Sequence, residues 1–205
     1  MKISATIITF NEEHNITRCL QSVKDLADEV VVIDSHSSDK TREIAESFGA
    51  KVVLRPFQGH IEQKNFAIDQ AQFDWVLSLD ADEALSEGLK ASISEIKNGP
   101  SFHGYFFNRL TNYAGFWVKH CGWYPDKKLR LFNKNFARWG GMNPHDIIEM
   151  RPKSKKGFLS GDLLHLSYDS ISDHVGQTNK FTTIAAKAAY QKGIRSNNFK
   201  IITRP

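Results

Sequence analysis

Short apolar runs alternate with amphipathic stretches through the first half of this 205-residue chain. Ile3 to Phe10 is rich in β-branched residues and reads as a strand. Asn11 is placed to cap a following helix, with Glu12 and Glu13 in its positive first turn and Ile16, Leu20 and Val23 on one face. Val30 to Ile33 forms a second strand, ended by the polar run Asp34 to Asp39. A helix through Ile44, Ala45 and Phe48 stops at Gly49, Lys51 to Leu54 gives a third strand, and Gly59 opens a helix from about Ile61 to Ala71. Trp75 to Leu79 is then a buried strand that runs straight into Asp80, Asp82 and Glu83. This β-α-β-α-β order predicts an α/β fold, a mostly parallel central sheet flanked by helices. After Ser170, the spacing of Ile171, Val175, Thr178, Phe181, Ala185 and Ala188 predicts a further helix, stopped at Gly193.

In a parallel sheet, ligands bind at the carboxyl ends of the strands. Thr9 to Glu12, Asp34 to Asp39 and Asp80 to Glu83 each follow a predicted strand, so the fold would gather them on one rim. Asp80 and Asp82, spaced i and i+2, can converge on one cation or cation-bound phosphate. The competing reading is a plain strand end, with Asp82 or Ser86 capping the next helix. Such a rim suits a nucleotide: Asp34 can accept from a base N–H or ribose hydroxyl, and Mg²⁺ or Mn²⁺ prefers oxygen ligands. The chain carries no P-loop and no Gly-x-Gly-x-x-Gly after a strand, so phosphates would be neutralised mainly by metal, helped by Lys64.

Composition narrows the class. Hydrophobic content of 40% with 24% charged residues is ordinary for a globular domain, which argues against disorder. Cys19 and Cys121 have neither disulfide-framework nor zinc spacing, which points to a reducing cytoplasm. No run approaches the ~20 apolar residues of a membrane span, and no signal-peptide pattern is visible. From Ile171 onward there are six Lys or Arg against Asp173 alone, a net +5 that leaves −1 for the rest of the +4 total. This ending, near the run Lys153 to Lys156, reads either as a solvated helix face or as attraction to an anionic membrane or acceptor. Nucleic acid is not indicated, because no basic stripe is interleaved with exposed aromatics.

Four segments in order, Ala5 to Glu13, Val30 to Thr41, Gln63 to Ala67 and Leu77 to Glu83, resemble the signature of family-2 glycosyltransferases with the Rossmann-like GT-A fold. Gly122 to Pro125, Lys128 to Phe132 and Pro144 to Ile148 resemble the branch containing lipopolysaccharide inner-core β-1,4-glucosyltransferases. The resemblance implies a nucleotide-sugar-binding half over 1–99, an acceptor-binding half of the same domain with a small β region over 100–170, and a basic helical extension over 171–205. Relatives of that branch often continue past an Arg-Pro like Arg204-Pro205, so the chain is expected to be shortened. By position, the resemblance implies that Thr9, Asn11, Glu12, Asp34 and Lys64 line the nucleotide pocket. Asp80 faces the nucleotide-sugar, Asp82 holds Mn²⁺ or Mg²⁺, and Asp146 is the general base, although Pro144-His145-Asp146 departs from the common His-Glu or Glu-Asp. The implied reaction is inverting transfer of one sugar, UDP-glucose being the implied donor, to a glycan or lipid-linked acceptor in cell-envelope synthesis, in the cytoplasm or at the inner face of its membrane.

Several residues keep two readings. His165 can complete a metal shell or sit satisfied in the core. Trp123 and Tyr124 can wall a sugar face or pack internally. Arg130, between Leu129 and Leu131, fits a cleft-facing cation or an exposed edge. Two other functions stay in view: a non-catalytic nucleotide-sugar-binding module, and a phosphatase using Asp-x-Asp. The phosphatase pattern asks for Thr or Val at Ala84 and normally sits on the first strand.

Overall fold

A computed structural model describes residues 1–143, 145–195 and 199. The first half alternates as expected: β1 (Ile3–Thr9), α1 (Ile16–Val23), β2 (Glu29–Asp34), α2 (Thr41–Ser47), β3 (Lys51–Leu54), α3 (His60–Gln70) and β4 (Trp75–Asp80). Then come β5 (Glu83–Leu85), α4 (Glu87–Ile96), β6 (Gly104–Tyr113), β7 (Phe116–Val118), β8 (Asp126–Asn133), β9 (Ala137–Met142), β10 (His145–Met150), β11 (Lys156–Tyr168) and α5 (Ile171–Gln191). One sheet runs β3-β2-β1-β4-β8-β6-β11-β5, with β7 on β6, while β9 and β10 pair separately. β1 to β4 are mutually parallel, as are β6 and β11; β8 runs antiparallel to both β4 and β6 and joins the two halves.

The α/β expectation follows from what β1 must do. It lies between β2 and β4 with helices on both faces, so nearly every side chain is buried, the small hydroxyl residues Ser4, Thr6 and Thr9 included. Ile3, Ala5 and Ile7 pack with Ile16, Leu20 and Val23 of α1 and reach Phe107 and Leu131 of the second half. Ile16, Leu20 and Val23 each contribute about 1.5–3 kcal/mol by leaving water. The opposite face of the sheet is covered by α3 through Ala67, packed on Val31 and Ile33. Ser86 caps α4: its Oγ accepts from Leu89 N at 3.3 Å and from Asp162 N at 2.9 Å, tying the helix start to β11.

The first helix differs from expectation. It starts at Ile16 after Asn15, has no side-chain cap and carries no acid in its first turn. Asn11 instead adopts φ 54°, and its Oδ1 accepts from Ser38 N at 2.8 Å. This left-handed turn, tolerated by Asn, ties the loop after β1 to the loop after β2. Glu12 and Glu13 are thereby held on the rim ahead of the helix, where Glu12 accepts from Asn15 Nδ2 at 2.9 Å.

α5 forms where the spacing predicts it, with Ser170 Oγ accepting from Asp173 N, yet none of its residues is buried. It lies across the sheet end: Tyr113 Oη is 3.1 Å from His174 Nδ1, and the Phe181 ring meets His60 edge-on at 6.1 Å. Among the described residues, no helix is long and apolar enough to cross a membrane. Pro144, Lys200, Arg204 and Pro205 lie outside the described residues.

Candidate functional site

The loops after β1 and β2 are built as one unit. Asn11 N donates to Ser37 Oγ and Glu12 N to Thr41 Oγ1, each at 2.8 Å. Asp34 is fully buried; its Oδ1 accepts from Ser37 N at 2.8 Å and its Oδ2 from the Ser37 hydroxyl. Asp34 and Asn11 therefore organise the rim, and neither lines the cleft that opens beside it. Thr9 and Glu12 do line it, and the buried Thr9 hydroxyl has no hydrogen-bond partner among the described residues. Burial raises the pKa of Glu12, the charges of Asp82, Asp39 and Asp80 push the same way, and the Asn15 hydrogen bond only partly opposes them.

At the cleft floor, two buried cations are threaded through three carboxylates. Lys64 of α3 is 3% exposed, with Nζ 3.0 Å from Asp80 Oδ1 and 2.8 Å from Asp146 Oδ2. Arg130 of β8 places Nη2 2.9 Å from Glu83 Oε1 and 3.3 Å from Asp80 Oδ2. Glu83 in turn accepts from Asp80 N at 3.0 Å through Oε2. Both cations lie against the Trp139 ring, Lys64 Nζ at 4.4 Å and the Arg130 guanidinium at 5.0 Å from its centroid. Burial alone would raise the Asp80 pKa, but Lys64 and then Arg130 outweigh it and hold the carboxyl far below its ordinary value. Three acids against two cations leave this floor net negative, before Asp82 and Glu12 are added.

Asp82 sits in the turn between β4 and β5, and its carboxylate Oδ2 lies 3.2 Å from His165 Nε2 on β11. Burial would lower the His165 pKa; Asp82, by charge and hydrogen bond, more than offsets this and raises it. His165 Nδ1 is buried without a hydrogen-bond partner among the described residues. A carboxylate oxygen and an imidazole nitrogen facing each other in an acidic cleft fit a divalent cation. Among the described residues no three His, Cys, Asp or Glu side chains converge as a metal cage. Such a cation would therefore complete its shell from phosphate oxygens and water, as Mg²⁺-type sites commonly do.

The cleft encloses about 1330 Å³ and is lined by Thr9, Glu12, Lys64, Asp80, Asp82, Asp146 and His165 among others. Seven of the nine residues singled out from sequence thus meet in one cavity; Asn11 and Asp34 stand behind its wall. Of the two readings of Arg130, the cleft-facing one holds, and its signal was the lone cation inside Leu129 to Phe132. Trp123 lines the cleft at 37% exposure, while the Tyr124 hydroxyl donates to Asp162 at 3.0 Å. Sequence reasoning missed the anchoring by Glu83, the Trp139 platform and the approach of Phe181 and Lys180 from α5. Trp139 had no local signal, since its role depends on β9 folding back over α3.

Residues 4–148 match the family model described as glycosyl transferase family 2. An uncharacterized glycosyltransferase of Rickettsia typhi is 36% identical across 98% of this chain and 73% of its own length. The lipopolysaccharide core biosynthesis glycosyltransferase LpsC of Rhizobium meliloti is 27% identical across 100% of this chain and 78% of its own. Among solved structures, S. aureus TarS matches with a TM-score of 0.47 and 29% identity over 54% of this chain. Glucosyl-3-phosphoglycerate synthase from Mycobacterium tuberculosis, in complex with Mn²⁺ and UDP-glucose, matches with a TM-score of 0.44 and 23% identity. The chain spans 22% and 44% of the lengths of those two structures. With the family model covering most of its length and the expected α/β architecture present, the chain belongs to glycosyl transferase family 2 and is a glycosyltransferase.

Proposed function

We propose that this glycosyltransferase moves a single hexose from a nucleotide-sugar, with UDP-glucose as first candidate, to a saccharide or lipid-linked saccharide, inverting the anomeric centre. The observation that carries the reading is the Lys64 bridge: one buried ammonium joins Asp80, at the donor rim, to Asp146, on the facing hairpin. Donor-side and acceptor-side carboxylates are thereby held across one cleft. The resemblance of LpsC across the full chain supports an acceptor in lipopolysaccharide core or related polysaccharide synthesis.

Each residue then has a task set by its chemistry. Thr9, Glu12 and Ser35 border the space for the nucleoside, with Asn11 and Asp34 fixing the loops behind them. Asp82 and His165 would hold Mn²⁺ or Mg²⁺, which supplies charge neutralisation for the departing diphosphate. Arg130 and Lys64 keep Asp80 ionised and aimed. Asp146 takes the proton of the acceptor hydroxyl as that oxygen attacks the anomeric carbon from the face opposite the diphosphate. Replacing Asp146 with Asn should reduce turnover by at least about a hundredfold while leaving UDP affinity within a factor of about two. Near-normal turnover of the variant would remove Asp146 from the role of base.

Contact with an anionic membrane is part of the same proposal. It is supported by α5, on which Ile171 and Val175 are 68% and 56% exposed and which carries Lys180 and Lys187 further along. Sedimentation with phosphatidylglycerol vesicles but not with phosphatidylcholine vesicles is the expected result; equal recovery with both would refute it.

A further inference from the structure

The cleft carries a charge asymmetry that donor binding does not use. Along the sheet, the nucleotide rim lies at β1 and β2, the acids Asp80 and Asp82 follow at the end of β4, and β8 and β6 come next. On these two strands Arg109 and Lys128 share a single carboxylate. Arg109 Nη2 is 2.8 Å and Nε 3.0 Å from Asp126 Oδ2, and Lys128 Nζ is 3.0 Å from Asp126 Oδ1. Two cations against one anion leave a net positive charge, and Asp126 occupies only part of the five N–H donors of Arg109 and the three of Lys128. Asp126 thus fixes two cationic heads without saturating them. Lys180 of α5 lines the same cleft and makes no hydrogen bond or ion pair among the described residues. Trp123, edge-on to Tyr113 at 5.8 Å, adds an apolar ring of the kind on which sugars stack.

We infer that the acceptor is an anionic saccharide, bearing a phosphate or a carboxylate that Arg109 and Lys128 bind while Lys180 approaches from α5. The inference rests on the proposed glycosyl transfer and names its acceptor class. A guanidinium fork matches either oxyanion, and such charge-assisted bonds are the strong ones.

The test uses the full chain with saturating UDP and Mn²⁺, so that the donor side is filled. Glucose 6-phosphate, glucuronate and glucose are then titrated separately and followed by tryptophan fluorescence. At least one charged sugar should bind about tenfold or more tightly than glucose, one charge-assisted contact being worth about that factor. A gain for the phosphate alone, the carboxylate alone or both identifies the anion and supports the inference. Arg109→Met and Lys128→Met should each remove most of that gain while leaving UDP affinity and glucose binding unchanged, and Arg109→Lys should restore part of it. Should Arg109→Met fail to fold, Lys128→Met and Arg109→Lys carry the comparison. Glucose binding as tightly as both charged sugars would overturn the inference. So would variants that weaken UDP instead, since that would give these cations to the donor diphosphate. If the wild type does not bind UDP with Mn²⁺, glycosyl transfer is the reading that fails; the same titration without nucleotide still decides the anion preference.

Discussion

Replacing Lys64 with methionine tests whether the cleft floor is held by charge. The methionine keeps apolar contact with Trp139 but removes the ammonium 2.8 Å from Asp146 and 3.0 Å from Asp80. Breaking a buried ion pair from one side costs about 3–5 kcal/mol, because the remaining charge is left desolvated. The lower end applies here: the Asp80 side chain is 29% exposed and keeps Arg130, so Asp146, at 12%, is the carboxylate stranded. The expected loss is therefore about 3 kcal/mol, a fall in Tm of roughly 6–12 °C for a chain of this size. Urea unfolding and thermal melts at pH 7.5 would read it. A double-mutant cycle with Asp146→Asn isolates the pair, since a neutral amide does not need the ammonium; a coupling of about 1.5–3 kcal/mol is expected. A Lys64→Met protein within about 0.5 kcal/mol of wild type, or a cycle without coupling, would show that charge does not hold the cleft floor.

Two further expectations concern pH and packing. Because Asp82 raises the His165 pKa against the opposing effect of burial, the stability from this pair is fully present below the ordinary value of 6.5 and is lost as pH rises through the higher folded value. Cation-free protein in EDTA should thus lose stability from neutral to mildly alkaline pH, and His165→Gln should flatten that decline; equal slopes would count against the pair. Gly161 has φ +97°, and a Cβ there would sit 2.2 Å from Leu89 N, so Gly161→Ala should cost on the order of 3 kcal/mol or more in thermal melts. A shift of less than ~1 kcal/mol would show that α4 does not press on β11 as described.

Much of the first half was legible because β2 and β4 are largely buried, short apolar runs and β1 and β3 are rich in β-branched residues. Lys51 to Leu54 matches β3 residue for residue, and Trp75 to Leu79 falls one residue short of β4. The loop after β1 was misread because the turn at Asn11 is held by Ser37 and Ser38, 26 and 27 residues further on. The site shows the same division. Lys64, Asp80 and Asp146 can each be named from motifs, but the contact joining Lys64 to Asp146 spans 82 residues and depends on the β9–β10 hairpin packing over α3. Asp34 fits a nucleotide contact by position, yet its burial against Ser37 follows from a turn whose shape is not encoded in spacing. Arg109 and Asp126 meet because β6 and β8 are antiparallel with those residues in register, which no local periodicity reports.

Asp82 and His165 are proposed to receive the donor through a divalent cation. Calorimetric titration of UDP into the full chain, with Mn²⁺ and separately with EDTA, tests it most directly when repeated on Asp82→Asn. Binding should require Mn²⁺ and weaken by about tenfold or more in the variant, a single charged contact being worth that much. UDP binding of equal strength in EDTA, or undiminished in Asp82→Asn, would contradict it.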